Sequence, residues 1–238
     1  MRIEKHRPRG NKPKSGSRIL NRFLGDLAGA IEKRINRSAG HAFVGRDDPE
    51  MPFWYNEQTT KGIVSAAIDE ITGTNFFQEY SIKRTEGRGR VDYWLEYGSL
   101  TTVQILLEVK QSWARIYNDD VTIYSKTAHL LSDAKKQLDS IEDKATYANF
   151  SIGMLIMPLY SRYVSDDDTP IELSQERIEC LREKIETNFN STLLYEVDVI
   201  KTLRKYNKIH CFRENSRDIF ESHPGICLIY YVRKLTKN

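Results

Sequence analysis

The sequence predicts an α/β fold, a central mixed sheet flanked by helices. Two observations carry this: apolar residues repeat with the 3.6-residue period of a helix in several stretches, and between those stretches lie runs of strand length that alternate apolar and polar residues. At 238 residues, 39% hydrophobic and 29% charged, the chain is long enough for one sizeable core. A single domain over 19–238 is expected, with its motif-bearing core at 57–159 and an α/β extension at 170–238.

The elements follow in order. Leu20, Phe23, Leu24, Leu27, Ile31 and Ile35 line one face of a helix predicted over 17–36. Residues 37–56, with Gly40, Gly45, Pro49 and Pro52, read as loop. A second helix is predicted to open after Asn56, an N-cap residue, and to close at Gly73, burying Ile63, Val64, Ala67, Ile68 and Ile71. Three strands follow at Phe76–Arg84, Arg90–Tyr97 and Thr102–Lys110, with turns at Gly87/Gly89 and Gly98-Ser99, which predicts an antiparallel meander. After a mixed stretch over 111–127 come a helix carrying Leu130, Leu131, Ala134, Leu138 and Ile141 and a strand at Phe150–Leu159. The last third adds a helix from about Glu172 to Phe189 and strands near Thr192–Val199, Lys208–Phe212 and Ile226–Arg233.

Charge is unevenly placed. Residues 1–18 hold seven Lys/Arg against one acid, a local charge of +6, whereas the other 29 bases and 32 acids leave −3. A basic, flexible arm is expected there, and Arg2, Lys5, Arg7, Arg9, Lys12 and Lys14 are its candidate contacts to a phosphate backbone. Three cysteines without a CxxC pair or a histidine cluster suggest neither zinc nor a disulfide framework. No apolar run is long enough to span a bilayer, and no apolar segment of signal-peptide type follows the basic N-terminus. A soluble, cytoplasmic protein is expected.

Three acid-x-Lys tripeptides occur: Glu108-Val109-Lys110, Asp133-Ala134-Lys135 and Glu142-Asp143-Lys144. The first alone falls on a predicted strand, where a period of two sets Glu108 and Lys110 side by side on one face, with Val103, Ile105, Leu107 and Val109 on the other. On the preceding strand, Asp92 shares a face with Arg90, Trp94 and Glu96, and Val91, Tyr93, Leu95 and Tyr97 share the opposite one. If the Gly98-Ser99 turn pairs the two strands, Asp92 approaches Glu108. Two converging carboxylates call for a cation, and an all-oxygen ligand set suits Mg²⁺ or Mn²⁺. Such an ion polarises a phosphodiester and acidifies water, while Lys110 stabilises developing negative charge.

Helix, three strands, helix and strand, with Asp92 in the second strand and Glu108-x-Lys110 in the third, resemble the PD-(D/E)XK nuclease superfamily and its restriction-endonuclease-like core over about residues 57–159. Val91 stands where that motif has its proline. The resemblance implies Asp92 and Glu108 as ligands of Mg²⁺ or Mn²⁺ and Lys110 as the catalytic lysine. It also implies a glutamate from the helix before the first strand, for which Glu57 is the first candidate and Glu70 the second. The implied activity is a metal-dependent endodeoxyribonuclease acting on DNA, with RNA as the second choice, and two-strand cutting would favour a homodimer. The competing expectation is a catalytically inactive nucleic-acid-binding or assembly module with the same fold.

Overall fold

The computed structural model describes residues 4–6, 18–40, 57–117, 120–123, 126–142, 147–165, 167–188, 195–202, 207, 209–214 and 217–235. Their elements are β1 (Glu4–His6), α1 (Arg18–Gly40), α2 (Glu57–Asp69), β2 (Thr74–Arg84), β3 (Gly87–Tyr97), β4 (Val103–Gln111), β5 (Ala114–Tyr117), β6 (Asp120–Ile123), α3 (Lys126–Asp139), β7 (Phe150–Tyr163), α4 (Gln175–Asn188), β8 (Tyr195–Lys201), β9 (His210–Glu214) and β10 (Arg217–Lys234). One mixed sheet runs β1-β8-β10-β7-β4-β3-β2, with β5 and β6 attached at β7 and β9 at β10. The β4–β7 and β5–β7 pairs are parallel, and the other neighbours run antiparallel.

Two apolar cores cover the two faces of the sheet. On one, α1 buries the six residues its periodicity singled out, Leu20, Phe23, Leu24, Leu27, Ile31 and Ile35, and α2 adds Val64, Ala67 and Ile68 against Tyr93, Leu95, Ile105, Leu107 and Val109. On the other, Leu131 and Leu138 of α3 and Ile178, Leu181 and Ile185 of α4 pack on Leu106, Leu155 and Ile229. The Tyr97 hydroxyl donates to Asp26 Oδ2 at 2.6 Å and ties β3 to α1. Gly73, with φ of 77°, ends the connection from α2 in a conformation that favours glycine.

Several expectations need correction. The stretch expected as mixed over 111–127 holds the β5–β6 hairpin, whose four-residue strands are too short to announce themselves by alternation. The C-terminal extension adds to the same sheet, where β10 pairs with β7 on one side and β8 on the other. The basic arm is not structureless throughout: Glu4, Lys5 and His6 pair with Val199, Asp198 and Val197 as an edge strand. Arg2, Arg7, Arg9, Lys12 and Lys14 lie outside the described residues, as does Asn56.

Both strands of the β2–β3 hairpin change phase at one point. Phe76 and Tyr93 sit on the α1/α2 face, yet Ile82 and Val91, of the same parity as these two, belong to the opposite core. The ladder pairs Gln78 with Tyr93 and Tyr80 with Val91 and skips Glu79 and Asp92 between them. Glu79 has φ of 49°, a left-handed conformation that a glutamate seldom adopts. Each strand passes one residue without pairing it, so the register is kept while the side chains switch faces. The uniform alternation expected for Val91, Tyr93, Leu95 and Tyr97 therefore fails at Val91.

Register beyond this point depends on the turn between β3 and β4. Gly98 has φ of 112°, and a Cβ there would lie 2.3 Å from the Thr101 carbonyl oxygen. Gly98→Ala should therefore lower stability by on the order of 2–3 kcal/mol in urea unfolding, from strain and clash together. An unchanged unfolding midpoint would show that the turn does not hold this register.

Candidate functional site

The β3–β4 ladder runs from Tyr97–Val103 to Tyr93–Leu107 and stops. The next positions are Asp92 and Glu108. Past the last pair, the Val109 N–H donates not to a carbonyl of β3 but to Asp92 Oδ2 at 2.7 Å. The other oxygen, Oδ1, receives Lys61 Nζ of α2 at 2.8 Å. Both contacts follow from the phase change, which turns the Asp92 side chain away from the run containing Trp94 and Glu96 and towards α2. Here too the expected facing of Asp92 is corrected.

Lys61 also pairs with Glu57, one helical turn earlier, at 3.0 Å. Burial by itself would lower the Lys61 pKa, but the hydrogen-bonded ion pairs with Asp92 and Glu57 outweigh it and hold the pKa above the ordinary lysine value. The helix is fixed on β3 at the same spot. The Tyr93 hydroxyl donates to the Lys61 carbonyl at 2.6 Å and lies 3.1 Å from Ser65 Oγ. Burial pushes the Tyr93 pKa up to about 12, so this donor keeps its proton. Thr60 Oγ1 donates to Gln111 Oε1 at 2.8 Å and joins α2 to the end of β4.

On β4, Lys110 Nζ pairs with Glu108 Oε1 at 3.0 Å, two residues apart on one face as the strand period requires. Glu108 is 5% exposed and Asp92 8%. The Glu108 pKa is raised, first by burial and then by the charge of Asp92, and the Lys110 ammonium offsets this only in part. Across the parallel ladder Glu108 faces Gly153, whose missing side chain allows close packing: a Cβ there would lie 3.3 Å from the Cβ of Ala134 on α3.

The structure thus brings together four of the residues singled out from sequence, Asp92, Glu108, Lys110 and Glu57, the last through a lysine. Glu70 is drawn to the far end of α2, where Arg34 and Arg37 of α1 hold it at 2.7 and 2.8 Å. Lys61 was missed: its spacing of four from Glu57 reads as an ordinary surface pair on a helix. The carbonyl of Gln137 accepts a hydrogen bond from Arg84. Trp113 packs edge-on against Tyr160 and His223. Asp168, of the acidic run 166–168, caps its own loop by accepting from the Val164 and Ser165 N–H groups.

Among the described residues no set of three or more His, Cys, Asp or Glu side chains is gathered as for a metal ion, and no helix is long and apolar enough to cross a membrane. No family model, no curated protein and no solved structure matches this chain.

The raised Glu108 pKa has a consequence for folding with a definite sign. Folded protein holds the Glu108 proton more tightly than unfolded protein, so its contribution to stability falls as pH rises from the ordinary value of 4.5 through the folded-state value. Glu108→Gln removes that dependence. Its stability relative to wild type should shift in the variant's favour across this window, as measured by urea unfolding at a series of pH values. A constant difference from pH 4 to pH 8 would mean that Glu108 carries no electrostatic penalty.

Proposed function

We propose that the chain is a divalent-metal-dependent nuclease that hydrolyses phosphodiester bonds in DNA, with its centre at Asp92, Glu108 and Lys110. The observation that carries this reading is the proximity of two buried carboxylates where the β3–β4 ladder ends, each paired with a lysine, Lys61 on Asp92 and Lys110 on Glu108. Adjacent buried acids oppose each other's ionisation, and the raised Glu108 pKa reflects that opposition. A cation between them would relieve it. The order α2, β2, β3, β4, α3, β7, with the short β5–β6 hairpin inserted before α3, is in keeping with a restriction-endonuclease-like core.

The donor set fits Mg²⁺ or Mn²⁺. Mg²⁺ is commonly held by one or two carboxylates with water and substrate phosphate completing its shell, so the lack of a third gathered acid is no obstacle. Asp92 and Glu108 would hold it, and Glu57 stands near through Lys61. When bound, the ion supplies Lewis-acid polarisation of a phosphodiester and lowers the pKa of water. The chain's own residues do the rest. Lys110 directs a fixed positive charge to the edge of the site, where negative charge grows on phosphorus-bound oxygens in the transition state. The Val109 N–H and Lys61 orient Asp92, and the Tyr93–Lys61 and Thr60–Gln111 hydrogen bonds set α2 against the end of β4.

A second reading, a nucleic-acid-binding or assembly module that cuts nothing, is favoured by one observation: the Lys61 ammonium occupies an Asp92 oxygen that a metal would use. Calorimetry with Mn²⁺ and a cleavage assay on linear, circular and branched DNA separate the two. Nuclease chemistry requires wild-type binding that Asp92→Asn and Glu108→Gln each abolish, and cleavage that Lys110→Ala lowers by at least a hundredfold with metal binding retained. Metal binding seen in Lys61→Met alone, with no cleavage by wild type, would establish the inactive module instead.

A further inference from the structure

Phe77 is 61% exposed and Tyr80 38%, whereas most other large apolar groups among the described residues are inside. They lie on β2, the edge strand, and their rings flank Trp94 of β3 at centroid distances of 5.6 and 5.9 Å, tilted by 39° and 31°. Residues three apart on a regular strand point to opposite faces. Phe77 and Tyr80 share one because the left-handed backbone of Glu79 switches the phase between them. Two exposed rings beside a half-buried third, assembled by a strained residue, are not what burial alone would select.

The position of the cluster gives its use. Trp94 pairs with Leu106, and Glu108 is two residues further along the same face of β4, roughly 7 Å away. Asp92, two residues from Trp94, is turned by the same interruption away from the rings and towards Lys61 of α2, so Glu108 is the acid of the pair on the platform's face. Beyond the rings, the hairpin carries Lys83, Arg88 and Arg90, all exposed. Among the described residues, Arg90 and Lys83 form surface ion pairs with Glu79 at 3.8 Å and Glu142 at 3.0 Å, which phosphates can replace at little cost. Aromatic faces alternating with cations are the chemistry that holds unpaired bases and the backbone joining them.

We propose that Phe77, Trp94 and Tyr80 form a stacking platform for unpaired bases of single-stranded DNA, leading the strand to Glu108 of the charged centre. This rests on the nuclease reading for what happens at the end of the path, but not for the stacking itself. Duplex bases, stacked on one another, offer no free face to such a platform, so the substrate it selects is single-stranded or has a single-stranded branch.

Fluorescence anisotropy with a labelled oligo-dT, in EDTA so that no cleavage intervenes, tests the platform. Phe77→Ala and Tyr80→Ala should each weaken binding by roughly five- to a hundredfold, whereas Phe77→Tyr and Tyr80→Phe should bind as wild type. An abasic oligonucleotide of equal length should bind wild type weakly and be indifferent to these substitutions. Equal losses for oligo-dT and abasic strand, or no loss for either, would overturn the platform. So would a wild-type dimer in light scattering that Phe77→Ala dissolves, since the rings would then belong to a second copy. Oligo-dT held by stacking but never cut with Mn²⁺ would remove the nuclease reading alone. Cleavage with binding that ignores the rings would remove the platform alone.

Discussion

The backbone N–H of Val109 has no strand carbonyl to receive it, because the β3–β4 ladder ends at Tyr93–Leu107. A buried N–H left alone would cost about 1–3 kcal/mol, and the Asp92 carboxylate takes it instead. This one substitution of side chain for backbone organises the rest. It draws one oxygen of Asp92 onto β4 beside Glu108 and leaves the other facing α2, where Lys61 meets it. Had β3 continued in register, Asp92 would have stood directly opposite Glu108 in the ladder, on the face of Trp94 and Glu96 and turned away from Lys61 of α2.

The charges of this arrangement do not favour stability. Glu57, Asp92 and Glu108 face Lys61 and Lys110, which leaves one net negative charge; Asp92, Glu108 and the two lysines are largely closed to water, whereas Glu57 stands at the rim with 38% of its side chain exposed. Buried ion pairs seldom repay the loss of hydration, and hydrophobic residues of similar volume would commonly do as well or better. Glu108 bears the imbalance, held between burial and the Asp92 charge on one side and the Lys110 ammonium, with a smaller contribution from Lys61, on the other. The two lysines hold different places. Lys61 is fixed by acids on both sides and its helix by Tyr93, so it orients, whereas Lys110 stands at the end of β4 with Glu108 as its ion-pair partner.

Sequence carried the site only as far as local periodicity reaches. Glu108 and Lys110 on one face of an apolar strand follow from a period of two, and the six buried residues of α1 follow from a period of 3.6. The Gly98-Ser99 turn was also legible, since its glycine marks the backbone conformation the turn needs. The phase change was not. Val91-Asp92-Tyr93 reads as regular alternation, and nothing in a glutamate announces a positive φ at Glu79. What forces it is the sum of both cores, which want Tyr93 on one face and Val91 on the other. Lys61 was illegible for a related reason, since its second partner lies 31 positions on, in another element. The aromatic cluster was hidden by the same phase change, because Phe77 and Tyr80 belong to opposite faces on any regular strand.

The interruption at Glu79 and Asp92 also bears on how the edge of the sheet is used. An exposed edge strand of eleven residues with three aromatic rings along it invites pairing with another chain. A left-handed residue in its middle breaks the row of outward-facing N–H and C=O groups that such pairing would need. The same residue gathers Phe77 and Tyr80 around Trp94, so β2 loses a surface for strands and gains one for flat rings. Because Asp92 is the other half of the interruption, any change that relaxed Glu79 into regular β conformation would return Asp92 to the ladder as well. The aromatic surface and the charged centre are thus two products of one backbone distortion, and neither would keep its geometry without the other.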